Sequence, residues 1–72
     1  MIMLQLNHTK SGDYARVSWI AYMVRSLTDA FNLYIGTDLS VLEADRSGVI
    51  IAYNGHRICM DSNTASMIGV MN

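Results

Sequence analysis

Residues 13–35, DYARVSWIAYMVRSLTDAFNLYI, decide how this 72-residue chain is read. Val17, Ile20, Val24, Leu27, Phe31 and Tyr34 recur at spacings of three and four, the period that aligns side chains along one side of an α-helix. Trp19, Met23 and Ala30 widen that stripe, while Ser18, Arg25, Asp29 and Asn32 gather on the opposite side. The pattern predicts one long helix from Asp13 to Ile35. Ser11 or Asp13 would cap its start, and Gly36 would take the left-handed position just past its end. Its apolar arc exceeds half the circumference, against the roughly 100° that a surface helix needs. Such a helix keeps apolar surface to spare after packing on one sheet.

The flanking segments read as strands. Met1 to Leu6 alternates, with Ile2, Leu4 and Leu6 on one face. Leu39 to Ala44 and Val49 to Tyr53 flank Asp45-Arg46-Ser47-Gly48, a turn sequence with Asp first and Gly last. Asn54-Gly55 is the composition of a two-residue type I′ turn, in which both residues need positive φ. It places Tyr53 opposite His56, Ile51 opposite Ile58 and Val49 opposite Met60, all on the face assigned to the helix. A four-residue loop at Asp45–Gly48 would add Leu42 and Ala44 to that face and send Val41 outward; a three-residue loop would swap them. Ala65 to Met71 reads as a fifth strand, or as a short helix capped by Asp61 or Ser62. The expected architecture is α+β, a two-layer sandwich of one long helix on a small, mostly antiparallel sheet in β-α-β-β-β order, with residues 1–72 as a single domain.

That order and length resemble the dodecin-type flavin-storage proteins in layout alone. The single tryptophan is placed in the helix and not in a sheet position that would stack a flavin, so nothing functional carries over.

Composition bounds the function. Hydrophobic residues make up 51% and charged residues 15%, more apolar surface than a lone core of this size readily hides. Self-association as a homodimer, or docking on a protein partner, is the expected use of the surplus. With a net charge of −1 and Lys10, Arg16, Arg25, Arg46 and Arg57 dispersed, there is no basic stripe, and nucleic-acid binding is not expected. One cysteine, Cys59, excludes an intrachain disulfide and a Cys-rich zinc framework and favours a reducing cytoplasm. The N-terminus has no signal-peptide pattern, and Arg25, Asp29 and Asn32 exclude a lipid-exposed span. No membrane association is expected. The absence of proline excludes catalysis by an N-terminal proline.

No catalytic constellation assembles. His56 and Cys59 stand three apart in one strand and so project to opposite faces, which precludes a thiol–imidazole dyad. His8, His56, Cys59 and Asp61 share no ligand spacing, so no metal is expected. Asp13, Asp29, Asp38, Glu43, Asp45 and Asp61 suit caps, turns and solvated faces. No Gly-rich phosphate loop or nucleophile elbow occurs, and no cofactor is implied.

The reading is therefore of a non-enzymatic protein-binding module, a homodimeric stoichiometric inhibitor or adaptor of the kind phages and mobile elements encode. Trp19, Tyr22, Met23 and Arg16 are its candidate partner-binding residues, since Trp, Tyr and Arg dominate interface hot spots. The alternative is an oligomer that sequesters an anionic small molecule between subunits through Tyr53, His56 and Arg57.

Overall fold

The computed structural model describes residues 2–72. Six strands form one antiparallel sheet: β1 (Met3–Gln5), β2 (Tyr14–Ile20), β3 (Asp38–Ala44), β4 (Gly48–Tyr53), β5 (His56–Asp61) and β6 (Ile68–Met71). Two short helices, α1 (Arg25–Ala30) and α2 (Ser62–Ala65), and two 3-10 turns at Leu6–His8 and Tyr22–Val24 complete the described chain. The spatial order β1-β6-β2-β3-β4-β5 inserts the last strand between the first two. A flat sheet of this width would be only about 10 Å thick. The molecule measures 26 × 25 × 23 Å, so the sheet curls round its own core into a small barrel. α2 touches β4, β5 and the first 3-10 turn, bridging the two ends of the sheet.

The long helix over Asp13–Ile35, and with it the two-layer sandwich, is not what the chain forms. Its first third is β2, the central strand between β6 and β3. The cause of the misreading is a β-bulge. Val17 pairs with Val70 and Trp19 with Gly69, so Ser18 is an extra residue in β2. A bulge lets the inward series run Ala15, Val17, Ile20, converting a spacing of two into one of three. That spacing imitates a helix. The dodecin-like layout falls with it.

Within Asp13–Ile35 only Arg25–Ala30 is α-helical, and Asn32 ends it. Asn32 adopts φ 57, the Asn32 N–H reaches Asp29 C=O (3.1 Å) and the Leu33 N–H reaches Thr28 C=O (2.9 Å). These two bonds are a Schellman motif, which satisfies carbonyls the helix end leaves open. Leu33 then drops into the core, fully buried. Gly36, expected as that terminator, instead forms a β-turn with φ 95, its N–H donating to Val17 C=O (2.8 Å) on β2.

The Asn54-Gly55 hairpin forms with the register its sequence predicts, Tyr53 opposite His56 and Val49 opposite Met60. Its inward face lines the barrel interior, not a helix. Across the preceding hairpin Val41 pairs with Ile51 but Glu43 with Ile50, a second bulge. Leu39 and Val41 point inward, Leu42 is exposed, and Ala44 returns to the core. Neither expected loop register describes this strand, because the bulge changes face in mid-strand. The chain's end combines both readings: Asp61 caps α2 by accepting from the Thr64 N–H (2.8 Å), and β6 follows. β1 is shorter than the alternating run from Met1 to Leu6; Met1 lies outside the described residues, and Leu6 belongs to the first 3-10 turn. The core is Leu6, Val17, Leu33, Val41, Ile51, Ile68 and Val70 with their neighbours. Each such aliphatic side chain stabilises the fold by about 1.5–3 kcal/mol when fully buried.

Candidate functional site

Between β2 and β3 the chain buries one narrow row, Val24, Thr28 and Leu33. Thr28 is tolerated there because its hydroxyl donates to the Arg25 carbonyl (3.2 Å). The rest of this segment turns large apolar side chains to solvent: Tyr22 is 91% exposed, Met23 77%, Ile35 56%, Tyr34 50%, Phe31 42% and Leu27 39%. Met23, Leu27 and Phe31 lie four residues apart along the turn and α1. This is the largest run of exposed apolar residues in the described sequence, and it carries the two most exposed candidates, Tyr22 and Met23. Leu27, Phe31 and Tyr34 were expected in the core. The period of four was read correctly there, but as the buried side of the helix. Asn32 in the middle of the stripe, a residue suited to a left-handed helix stop, was the available sign of a shorter helix.

Trp19 stands three residues before Tyr22, at the end of β2 and on the outer side of the sheet. Its indole lies across Gly69 of β6, where an added Cβ would collide with indole Nε1 and Cδ1. Trp19 is therefore half supported by the sheet and half open. Arg16 shares the outer face of β2 but serves a different surface. Its Nε donates to Asp38 Oδ1 (2.8 Å) and its Nη2 to Oδ2 (3.3 Å), an exposed forked ion pair between neighbouring strands. The hydrogen bond with Arg16 lowers the Asp38 carboxyl below its ordinary range and raises Arg16 in turn. The pair borders a broad groove of about 630 Å³ with Tyr14, Ser40 and Asn54.

Tyr53, His56 and Arg57 do meet, in a small cleft of about 150 Å³ beside Phe31 and Asn32. Tyr53 is not free to bind a ligand. It is buried, its hydroxyl donates to the Phe31 carbonyl (2.5 Å), and burial raises its phenol above the usual value. Its ring tilts against His56 with centroids 5.7 Å apart. Tyr53 thus ties the end of α1 to the barrel. Among the described residues no group of three or more His, Cys, Asp or Glu side chains could hold a metal ion. Asp45 and Asp61, which share a cleft with Glu43, are committed to local bonds: Asp45 accepts from the Ser47 hydroxyl (2.6 Å) and N–H (2.8 Å), Asp61 from Thr64. Those bonds lower both carboxyls.

No protein-family model and no curated protein matches the sequence. Solved structures do. The FeoA protein from Chlorobium tepidum is 30% identical in a match covering 93% of this chain and 68% of that one, with a TM-score of 0.78. The chain belongs to the FeoA family. A further FeoA, an iron uptake regulatory protein, is 25% identical, with 97% of this chain and 96% of that chain covered and a TM-score of 0.88. The FeoA fold also occurs inside a manganese-dependent transcriptional repressor, which is 19% identical with a TM-score of 0.89. The match covers 96% of this chain and 40% of the repressor, so the likeness there is of one region and of fold alone.

FeoA membership corrects the functional reading. A phage-type stoichiometric inhibitor and an oligomeric sequestering protein were inferred from an unassigned apolar surface; the proteins this chain resembles at 25% identity or more are FeoA proteins, one of them an iron uptake regulatory protein. The apolar surplus in the composition was real, but composition does not say what covers it. No helix among the described residues is long and apolar enough to cross a membrane.

Proposed function

We propose that this chain is an accessory domain of metal-ion uptake, with iron as the ion, which acts by docking on a protein partner and catalyses nothing itself. The observation that carries the reading is the match to an iron uptake regulatory protein over nearly the whole of both chains. The exposed run Tyr22, Met23, Leu27 and Phe31 supplies a surface suited to such docking, because aromatic and Met side chains pack against irregular partners with much apolar area. Trp19 flanks that surface; Arg16, held by Asp38, lies outside it. The non-enzymatic part rests on placement: Cys59 and His56 sit on opposite sides of β5, and the Tyr53 hydroxyl is already engaged.

The test is ferrous-iron accumulation, followed with radioactive iron, in cells of the source organism from which the gene has been deleted. Accumulation should fall several-fold and recover with the wild-type gene, but not with Tyr22→Asp/Met23→Asp, a variant whose two changes lie on side chains 91% and 77% exposed, outside the core. Unchanged iron accumulation in the deletion strain would remove the proposal. Full recovery with the double variant would remove Tyr22 and Met23 from the docking surface.

A further inference from the structure

β5 is one end of the sheet, and among the described residues no strand pairs with its outer edge. A cleft of about 220 Å³, lined by Leu27 and Phe31 on one side and by Ile58, Cys59 and Met60 on the other, separates it from α1. The unbroken β4–β5 register decides which groups face that edge. In a two-residue hairpin the flanking pair, Tyr53 and His56, exchanges both backbone bonds, and the pattern then alternates. His56, Ile58 and Met60 therefore bond to β4. Arg57, Cys59 and Asp61 turn their N–H groups to the open edge, as do the carbonyls of Arg57 and Cys59. Six residues without proline or a bulge make an edge of the kind that accepts another strand.

The side chains along that edge specify what the strand is. Arg57 lies near its start and Asp61 at its end, with Cys59 midway. An antiparallel copy of β5 related by a two-fold axis at Cys59 places Arg57 opposite Asp61 of the second copy, and Asp61 opposite Arg57 of the second copy. Ile58 then faces Met60 of the second copy. The same register sets the outward N–H and C=O of Cys59 on those of Cys59 in the second chain, and the outward N–H of Asp61 on the carbonyl of Arg57 in the second chain, so backbone parity and charge agree. A register shifted by one residue would set inward-bonded groups against outward ones. Asp61 Oδ1 caps α2, which leaves Oδ2 for an arginine. Among the described residues Arg57 forms no ion pair.

We propose that two copies of this chain pair through their β5 strands, in antiparallel register centred on Cys59, with two reciprocal Arg57–Asp61 contacts. The result is one continuous sheet of both subunits, an isologous contact that closes on itself. It is independent of the iron-uptake reading and stands or falls by a different measurement.

Sedimentation equilibrium of the full chain, from about 1 μM to about 1 mM, reads the association directly. The wild type should form a dimer. Arg57→Glu, which sets like charges opposite one another twice, should weaken it about tenfold or more. Cys59→Pro removes an N–H that bonds to nothing in the monomer and should abolish pairing without breaking the β4–β5 ladder. Diamide, which takes two electrons and two protons from a pair of thiols, should link the wild-type dimer through Cys59, since directly opposed residues in a hydrogen-bonded pair lie about 5.5 Å apart at Cα. If Cys59→Pro does not fold, Arg57→Glu and the diamide reaction decide between them. A monomer throughout the range, or a dimer indifferent to Arg57→Glu, would overturn the proposal. So would a dimer that diamide does not link.

Discussion

Trp19 and Gly69 form a matched pair across β2 and β6: the indole occupies the space where any side chain at 69 would stand. Gly69 is required for room, not for backbone freedom. Gly69→Ala should push the ring off the sheet and lower stability by about 1–3 kcal/mol, the usual range for overpacking. Trp19 is the sole tryptophan, so the move is directly visible as a red shift in emission alongside a lower urea midpoint; neither changing would reject the account. Tyr53 gives the complementary lesson. Its position next to Asn54-Gly55 suggested an open ligand group, yet its hydroxyl is taken by a carbonyl 22 residues earlier in the chain. No local pattern reports a bond of that span.

Among the elements, α2 is short enough to depend on its cap. Asp61 accepts from the Thr64 N–H (2.8 Å), and the Thr64 side chain, then this backbone bond, hold the carboxyl below its ordinary range. A depressed carboxyl contributes stability that is fully present above the ordinary pKa and is lost as pH falls through the lowered folded value. Asn at 61 can still accept the bond but does not titrate. The stability difference between wild type and Asp61→Asn should therefore be steady above about pH 5 and change in favour of the variant below about pH 4. Urea unfolding at several pH values measures it, and a difference independent of pH would contradict the role given to Asp61. The hairpin at Asn54-Gly55 and this cap were both legible, because each is a contact between near neighbours. The bulges in β2 and β3 were not. A bulge leaves no composition of its own, and at Ser18 it produced the very spacing that defines a helix.

At the scale of the molecule, the fold closes only when its last strand arrives. β6 lies between β1 and β2 and buries Ile68 and Val70 completely. Removing residues 68–72 should leave β1 without any strand partner and β2 with one edge open, and the truncated chain should show no cooperative thermal transition by circular dichroism. A cooperative melt would show that the remaining strands suffice. The exposed run from Tyr22 to Ile35 also belongs to this scale, since it is the barrel that decides which side of α1 faces out. By itself the sequence determined the two hairpin turns, the Asp61 cap as one of two readings, the β4–β5 register and the surplus of apolar surface, because each follows from bonds or composition within a few residues. Only the tertiary structure decided that Tyr14–Ile20 is strand and that Leu27 and Phe31 face solvent. Both depend on partners far along the chain: Val70 and Gly69 bond across to β2, and a strand's backbone has no preference strong enough to name its neighbours in advance.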